Sequence, residues 1–234
     1  MEKTLIAALK GRLIVQCQVP EDSPLHGPLF MSAMAAAAEQ AGAGGIRADG
    51  PEDIAAIRAR VHVPIIGSYR CLDAEGGPFI TPDFACAQAV VAAGADVVAL
   101  SCHRRQRPDV GALGELILHI QRDLGALVMA DCATAEDGIF ASEMGVDMVS
   151  TTLSGYTPET VTRPEPDLWL VEALAALQRR PVIAEGHIWL PAQARAVLSA
   201  GAHAVVVGTA ITNPMGIIAR FVAELGGTRE PVHV

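Results

Sequence analysis

The chain has 234 residues, a length that suits one large α/β domain. Hydrophobic residues make up 51% of it and charged residues 18%, which indicates a globular protein with a large core. The formal net charge of -9 argues against a nucleic-acid partner, because phosphate backbones attract clustered Lys and Arg. No apolar run approaches the roughly 18 residues that span a bilayer, and the polar start MEKTLIAALKGR is unlike a signal peptide. The five cysteines are odd in number and scattered, which favours a reducing cytoplasm over a disulfide framework.

Eight short apolar runs have the length and composition of strands that are buried on both faces. In chain order they are Arg12–Gln18, Gly44–Ala48, Pro64–Arg70, Asp96–Ser101, Ala126–Asp131, Asp147–Thr152, Pro181–Gly186 and Ala202–Gly208.

Segments of helical period separate these strands, and several of them end in a glycine-containing turn. The clearest helices are Leu29–Ala41, Asp83–Ala93, Leu168–Arg179 and Ala192–Ala200, and the turns contain Gly42, Gly94, Gly145 and Gly201. Eight strand–helix units with apolar strands imply parallel pairing and a closed (β/α)8 TIM barrel. No Pro/Gly/Ser-rich linker divides the chain, so we expect residues 1–234 to form a single domain.

Polar residues follow nearly every predicted strand, at the end where barrels of this kind carry their active sites. So many at one rim favour a concave polar pocket. These residues are Gln16, Gln18, Arg47, Asp49, Arg70, Cys71, Ser101, Cys102, His103, Asp131, Cys132, Thr151, Thr152, Glu185, His187, Gly208 and Thr209.

The last two strands carry a signal for phosphate. Both AEG (184–186) and VVVGTAIT (205–212) end an apolar strand in glycine. Glycine lets the backbone approach a phosphate closely, and Thr209 with Ile211 and Thr212 can open a short helix there. The pattern predicts a phosphate-binding barrel.

Beyond these patterns, the sequence resembles the N-acetylmannosamine-6-phosphate 2-epimerase family of bacterial sialic acid catabolism. The resemblance runs over most of the chain, in order and at the family's approximate spacing. Its motifs are Leu13–Gln18 (LIVQCQ), Met34–Gly42 (MAAAAEQAG), Arg47–Gly50 (RADG), Val63–Gly67 (VPIIG), Ile80–Pro82 (ITP), Arg105–Pro108 (RQRP), Met129–Cys132 (MADC), Thr151–Thr157 (TTLSGYT), Glu165–Leu168 (EPDL), Val182–Gly186 (VIAEG) and Val207–Thr212 (VGTAIT).

The resemblance implies a reaction and a set of roles. The family inverts the carbon that bears the acetamido group, by removing a proton alpha to a carbonyl and returning it on the other face. By position, Glu185 would be an acid or base, Gln18 and Arg47 would hold the open-chain sugar, and Asp131 would bind hydroxyls or orient a neighbour. Gly186, Gly208 and Thr209 would hold the phosphate, and Thr152 completes the predicted substrate-binding set. The resemblance also implies a homodimer, and no cofactor is needed for such acid–base chemistry.

Arg70 is the main departure from this family pattern. After PIIG the family continues with two apolar residues and then Lys and Arg, whereas this chain reads Ser68-Tyr69-Arg70-Cys71. Arg70 therefore stands where the family has its catalytic lysine, and a guanidinium can stabilise an enolate but does not abstract a proton. The rim also differs from the family at Ser101, Cys102, His103, His187 and Asn213.

These departures leave several alternatives open. His103 and His187 titrate near neutrality, so either could join Glu185 as the second proton-transfer group. Soft ligands at the rim could instead bind a metal ion: Cys71, Cys102, His103, Cys132 and His187. The enzyme could act on a different phosphorylated sugar or acid, or the barrel could bind a sugar phosphate without turnover.

Overall fold

The computed structural model describes residues 2–72, 77–161 and 165–227, and within them it contains ten strands. These are β1 (Leu13–Cys17), β2 (Gly45–Asp49), β3 (Ile65–Ser68), β4 (Arg70–Leu72), β5 (Pro78–Ile80), β6 (Val97–Ser101), β7 (Leu127–Asp131), β8 (Met148–Ser150), β9 (Val182–Ala184) and β10 (Ala204–Val207).

Eight of the strands are parallel and close into a barrel, in the order β1, β2, β3, β6, β7, β8, β9, β10 and back to β1. The (β/α)8 prediction is therefore confirmed. Seven of these strands lie inside the intervals predicted from the sequence, and β2 ends one residue later than predicted.

The described part of the chain has ten helices, and those after α1 follow strands of the barrel or extend the last unit. They are α1 (Glu2–Leu9), α2 (Pro28–Gln40), α3 (Pro51–Arg58), α4 (Phe84–Ala92), α5 (Val110–Asp123), α6 (Ala135–Glu143), α7 (Leu168–Ala176), α8 (Pro191–Ser199), α9 (Thr209–Thr212) and α10 (Pro214–Glu224). No helix among residues 2–72, 77–161 and 165–227 is long and apolar enough to cross a membrane.

The predicted glycine turns end their helices as expected. Gly42, Gly94, Gly145 and Gly201 have φ between 92° and 111°, the left-handed region that glycine adopts without a steric cost. The helix predicted over Leu168–Arg179 ends early, because Gln178 also takes a left-handed conformation with φ 50°.

A short antiparallel hairpin stands at the end of β3, and here the sequence prediction was wrong. The strand predicted to reach Arg70 ends at Ser68, and Arg70 begins β4 instead, paired with Ile80 on β5. The chain leaves the barrel at this point because the amide of Arg70 donates to Asp49 Oδ1 at 3.0 Å. The amide of Thr81 donates to the Tyr69 carbonyl at 2.8 Å, which closes the base of the hairpin.

Two apolar layers fill the fold. One lies inside the barrel and includes Ile14, Ile66, Met129 and Val206, while the other packs the strands against the surrounding helices. Leu9 at the end of α1 joins the inner layer, which fills the barrel from the side where the strands begin. The opposite mouth, at the strand ends, is therefore the open one.

Candidate active site

A cavity of about 390 Å³ opens at the mouth where the strands end. Of the site residues predicted from the sequence, eight line it: Gln18, Arg70, Thr152, Glu185, Gly186, His187, Gly208 and Thr209. The rest of its wall is Gln16, Val19, Pro20, Ile80, Leu153, Tyr156, Ile188, Trp189, Val206 and Asn213.

Arg47 lies beneath the cavity, at the centre of a buried ion-pair network. Its guanidinium makes a bidentate bond to Asp131, with Nη2–Oδ2 at 2.5 Å and Nη1–Oδ1 at 3.1 Å. Its Nη1 also donates to Glu185 Oε2 at 2.5 Å. Arg47 was expected to hold the sugar, but both its terminal nitrogens are occupied by carboxylates, so its position fits a group that orients Glu185.

The charges in this network are unequal, since two carboxylates share one guanidinium. Burial raises the pKa of Glu185, Arg47 lowers it and the charge of Asp131 raises it again, so that the pKa lies above its usual value. Burial acts to lower the pKa of Arg47, but Asp131 and Glu185 outweigh it and raise that pKa. Glu185 can therefore hold a proton at a pH at which a free glutamate is ionised.

Thr152 links the two carboxylates. Its hydroxyl lies 2.8 Å from Asp131 Oδ1 and 2.9 Å from Glu185 Oε2. A hydroxyl has a single hydrogen, so it donates to one carboxylate at a time. This hydroxyl can follow a change in the protonation of Glu185.

Gln16 on β1 and Gln18, one residue beyond its end, both line the cavity and lie on the same side of the chain as the inward-facing Ile14. The side-chain Nε2 of Gln16 donates to Gln18 Oε1 at 2.6 Å. Gln16 was counted among the polar strand ends of the sequence, without a role. The alternation of side chains along a strand is the signal that could have placed it beside Gln18.

Gly208 packs against the side chain of Gln16. A Cβ atom on Gly208 would lie 2.8 Å from Gln16 Oε1, so a larger residue would displace the end of that side chain. Thr209 starts α9 directly after it, so the first amides of that helix, which have no partner within the helix, are at the cavity wall. Phosphate binding by these groups stays a prediction.

His187 lines the cavity two residues after Glu185. Gly186 and His187 both have positive φ, at 106° and 55°, which turns the chain sharply between the two side chains. The imidazole stacks on Tyr156 with ring centroids 4.6 Å apart, and its buried Nε2 has no hydrogen-bond partner within the described residues. Burial lowers the pKa of His187, although Glu165 acts to raise it, so the ring is neutral at pH 7.

His103 is not brought to the cavity wall. Its Nδ1 lies 3.3 Å from Asp137 Oδ2, and Asp137 also accepts the amides of Ala133 and Thr134. The strand-end pattern placed His103 at the rim correctly but did not show that the loop after β6 turns it toward the start of α6.

The cysteines and histidines proposed as metal ligands lie apart. Cys102 and Cys132 pack in the layer between the strands and the helices, and Cys71 lies on the hairpin. Within residues 2–72, 77–161 and 165–227, no group of three or more His, Cys, Asp or Glu side chains is placed to hold a metal ion.

Comparisons with known proteins identify the family of the chain. Residues 31–226 match the model of the family described as "Putative N-acetylmannosamine-6-phosphate epimerase", NanE. The chain belongs to this family. A "Putative N-acetylmannosamine-6-phosphate 2-epimerase" of Cutibacterium acnes is 47% identical over 219 residues, which are 93% of this chain and 95% of that protein. The protein of the same name from Caldanaerobacter subterraneus is 45% identical over 95% of this chain and 94% of its own length.

Two solved structures extend the comparison. The structure of the N-acetylmannosamine-6-phosphate 2-epimerase from Clostridium perfringens matches with a TM-score of 0.88 and 39% identity, covering 94% of this chain and 96% of that one. A thiamine phosphate pyrophosphorylase from Pyrococcus furiosus matches with a TM-score of 0.59 at 17% identity, and that match shows only a shared fold.

The family resemblance predicts a lysine at residue 70, where this chain has Arg70. The sequence has two lysines, Lys3 and Lys10, and the described cavity wall contains none. The titratable groups on the described cavity wall are Arg70, Tyr156, Glu185 and His187. Of these, burial raises the pKa of Glu185 and lowers that of His187, so both groups shift toward the neutral form.

Two other rim residues that were expected to depart from the family pattern have structural partners. Ser101 is fully buried, and its hydroxyl accepts the amide of Ile80 at 3.1 Å, so it ties β6 to the hairpin. Asn213 caps α10 by accepting the amide of Gly216 at 3.1 Å.

Proposed function

We propose that this chain interconverts N-acetylmannosamine 6-phosphate and N-acetylglucosamine 6-phosphate. Membership of the NanE family and the name of the Clostridium perfringens enzyme support the substrate pair. The observation that carries the chemistry is that Glu185 and His187 both line this cavity, where burial raises the pKa of the glutamate and lowers that of the histidine.

The two groups have complementary protonation states for an inversion. Neutral His187 accepts the C2 proton on one face of the open-chain sugar, and the C–H electrons form an enolate with the neighbouring carbonyl. Protonated Glu185 then gives its proton to the other face of C2, and the carbonyl re-forms. The reverse reaction starts from ionised Glu185 and protonated His187, so the same pair serves both directions without a cofactor.

Other cavity residues position the substrate in this proposal. Arg70 donates to the oxyanion of the enolate, a role that a permanently charged guanidinium can fill. Gln18 holds the open-chain sugar. The backbone of Gly186, Gly208 and Thr209 receives the phosphate, and the apolar wall at Leu153 and Trp189 excludes water.

Incubation with N-acetylmannosamine 6-phosphate in D2O tests the function directly. We expect deuterium to enter C2 while the gluco epimer grows, as followed by proton NMR. With His187→Gln, epimer formation should fall by about 10²- to 10⁴-fold, while one epimer still exchanges its C2 proton through Glu185. No exchange by the wild type, beside an active lysine-bearing homologue, would reject the function and leave another phosphorylated substrate or a binding role.

We also propose a homodimer, joined through α10. Ile218, Phe221, Val222 and Leu225 are exposed and spaced to lie on one face of this helix, which gives an apolar stripe that a second copy can cover. Phe221→Glu should convert a dimer to a monomer in sedimentation velocity. Leu118→Glu, at a comparably exposed apolar residue on α5, is the matched control and should leave the dimer intact. A monomeric wild type at micromolar concentration would contradict this proposal.

The setting we propose is a single barrel domain in the cytoplasm. The five cysteines all lie in the described ranges as free thiols, which fits a reducing compartment. Burial raises the pKa of Cys17 to about 12, with a smaller contribution from Asp53, so this thiol is unreactive.

A further inference from the structure

Arg107, in the loop between β6 and α5, is a buried arginine that the proposed chemistry does not use. Its side chain makes three hydrogen bonds: Nε to the Ser101 carbonyl at 3.0 Å, Nη1 to the Pro82 carbonyl at 2.6 Å, and Nη2 to the Thr81 carbonyl at 2.8 Å. All three acceptors are uncharged backbone oxygens. Burial lowers the pKa of Arg107, with smaller opposing contributions from Cys102 and Asp83. A buried cation held by carbonyls is costly unless it fixes something that the protein needs.

The segment that Arg107 holds is the base of the hairpin formed by β4 and β5. Thr81 has a φ of 47°, an unusual conformation for a β-branched residue that its surroundings must maintain. Its hydroxyl donates to the Ala99 carbonyl at 2.7 Å and accepts the Tyr69 amide at 3.1 Å. The guanidinium also lies over the Phe79 ring, 4.6 Å from its centroid, so Arg107 contacts β5 itself.

This hairpin carries Arg70 to the cavity. Arg70 pairs with Ile80 in the hairpin register, and both line the cavity. The amide of Ile80 donates to the Ser101 hydroxyl, and the carbonyl of Ser101 accepts from Arg107. Arg70 itself is exposed at its side chain, so its placement depends on the backbone that bears it. A chain of direct contacts therefore runs from Arg107 through Thr81 and Ile80 to Arg70.

We propose that Arg107 is a positioning residue that fixes the β4–β5 hairpin so that Arg70 points at the reacting end of the substrate. The role of Arg70 in this inference rests on the proposed function. The clamp, by which we mean the three hydrogen bonds from Arg107 to the base of the hairpin and to β6, does not. The guanidinium satisfies three carbonyls from two segments at once, which the single ammonium of a lysine cannot do in the same geometry.

Arg107→Met and Arg107→Lys test the proposal, with Arg58→Met as the matched control. Arg58 also donates to two carbonyls, those of Val61 and Val63 at 2.6 and 2.9 Å, but it does so where β3 begins, at the other end of the barrel. We expect Arg107→Met to lower kcat by about 10- to 100-fold with little change in KM, because a small displacement of a catalytic group is costly. Arg107→Lys should recover only part of the loss, and Arg58→Met should leave kcat near that of the wild type.

A double-mutant cycle with Arg70 separates positioning from a general loss of structure. If Arg107 acts through Arg70, Arg107→Met should change kcat by less than about twofold when Arg70→Met is already present. Additive losses would overturn the proposal, as would equal losses for Arg107→Met and Arg58→Met.

Amide hydrogen exchange provides a readout that does not depend on turnover. The amides of Tyr69, Arg70 and Thr81 should exchange faster in Arg107→Met than in the wild type or in Arg58→Met, because Tyr69 and Thr81 bond each other at the base of the hairpin and Arg70 lies on β4, which that base positions. Unchanged exchange would reject the clamp. A wild type without epimerase activity would reject the proposed function, and exchange alone would then decide whether the clamp exists.

Discussion

Replacement of Glu185 by Gln should lower kcat for epimerisation by about 10²- to 10⁴-fold. The amide keeps the shape of the carboxylate and can still accept from Arg47 and Thr152, but it can neither take nor give a proton. KM should change little, because the interaction that is lost is made with the proton in transit. Initial rates measured by coupled assay or NMR would check this.

The remaining proton exchange distinguishes this result from a simple loss of structure. Through His187, the Glu185→Gln variant should still exchange the C2 proton of one epimer with D2O, without forming the other epimer. Glu143→Gln, which changes an exposed carboxylate paired with Arg179, is the control and should keep full activity. Loss of exchange in both epimers, from a folded Glu185→Gln protein, would mean that His187 is not the partner.

The same variant reports on the electrostatics of the site. Because the pKa of Glu185 is raised in the folded protein, the wild type binds an extra proton below that pKa and loses this stabilisation as the pH rises through it. Glu185→Gln lacks this ionisation. The wild type should therefore lose stability relative to the variant between acid and neutral pH, as measured by thermal unfolding across that range.

The barrel was predictable because its strands and turns carry strong local signals. Eight apolar runs and four turn glycines specify parallel strands and helix ends through sterics and burial alone. The hairpin was missed because Arg70–Leu72 and Pro78–Ile80 are three residues each, too short for a periodic signal, and its geometry depends on Asp49 and Thr81. Asp49 belongs to β2, and Thr81 contacts Tyr69 only once the chain has turned back.

The strand-end rule found the rim but did not sort its residues by direction. Alternation sends Gln16 and Gln18 inward and Cys17 outward to the helices, so that neighbours in sequence have different environments. The rule fails beyond the last strand residue, where the loop geometry sends His103 to Asp137 and returns His187 to the cavity. His103 and His187 each follow a predicted strand, yet only His187 lines the cavity.

The pairing of Arg47 with Asp131 was also beyond the sequence. β2 and β7 are not hydrogen-bonded neighbours, so the ion pair forms across the interior and exists only once the barrel has closed. From the sequence, Arg47 was expected to hold the sugar and Asp131 to bind hydroxyls or orient a neighbour. In the structure Arg47 pairs with Glu185 directly, and Asp131 is linked to Glu185 through Thr152.

Removal of the guanidinium by Arg47→Met should cost about 3–5 kcal/mol of unfolding free energy. Asp131 is fully buried and Glu185 nearly so, and the variant leaves both carboxylates close together without a countercharge. Urea unfolding at neutral pH would measure the loss, and kcat should fall as well because Glu185 loses its orienting bond. Arg179→Met, which breaks the exposed pair with Glu143, is the control and should leave stability almost unchanged.

The pH dependence of that loss tests its electrostatic origin. Without Arg47, the carboxylates of Asp131 and Glu185 repel each other in a buried setting, so the folded pKa of Glu185 should rise further above its unfolded value. Stability gained from a raised pKa is present at acid pH and lost as the pH rises, so the deficit of Arg47→Met should be smaller at pH 5 than at pH 8. The double variant Arg47→Met/Asp131→Asn removes one of the two charges and should recover part of the deficit at neutral pH. A stability deficit that is constant with pH and unaffected by the second substitution would mean that Arg47 stabilises the protein by packing. The raised pKa of Glu185 would then be due to burial alone.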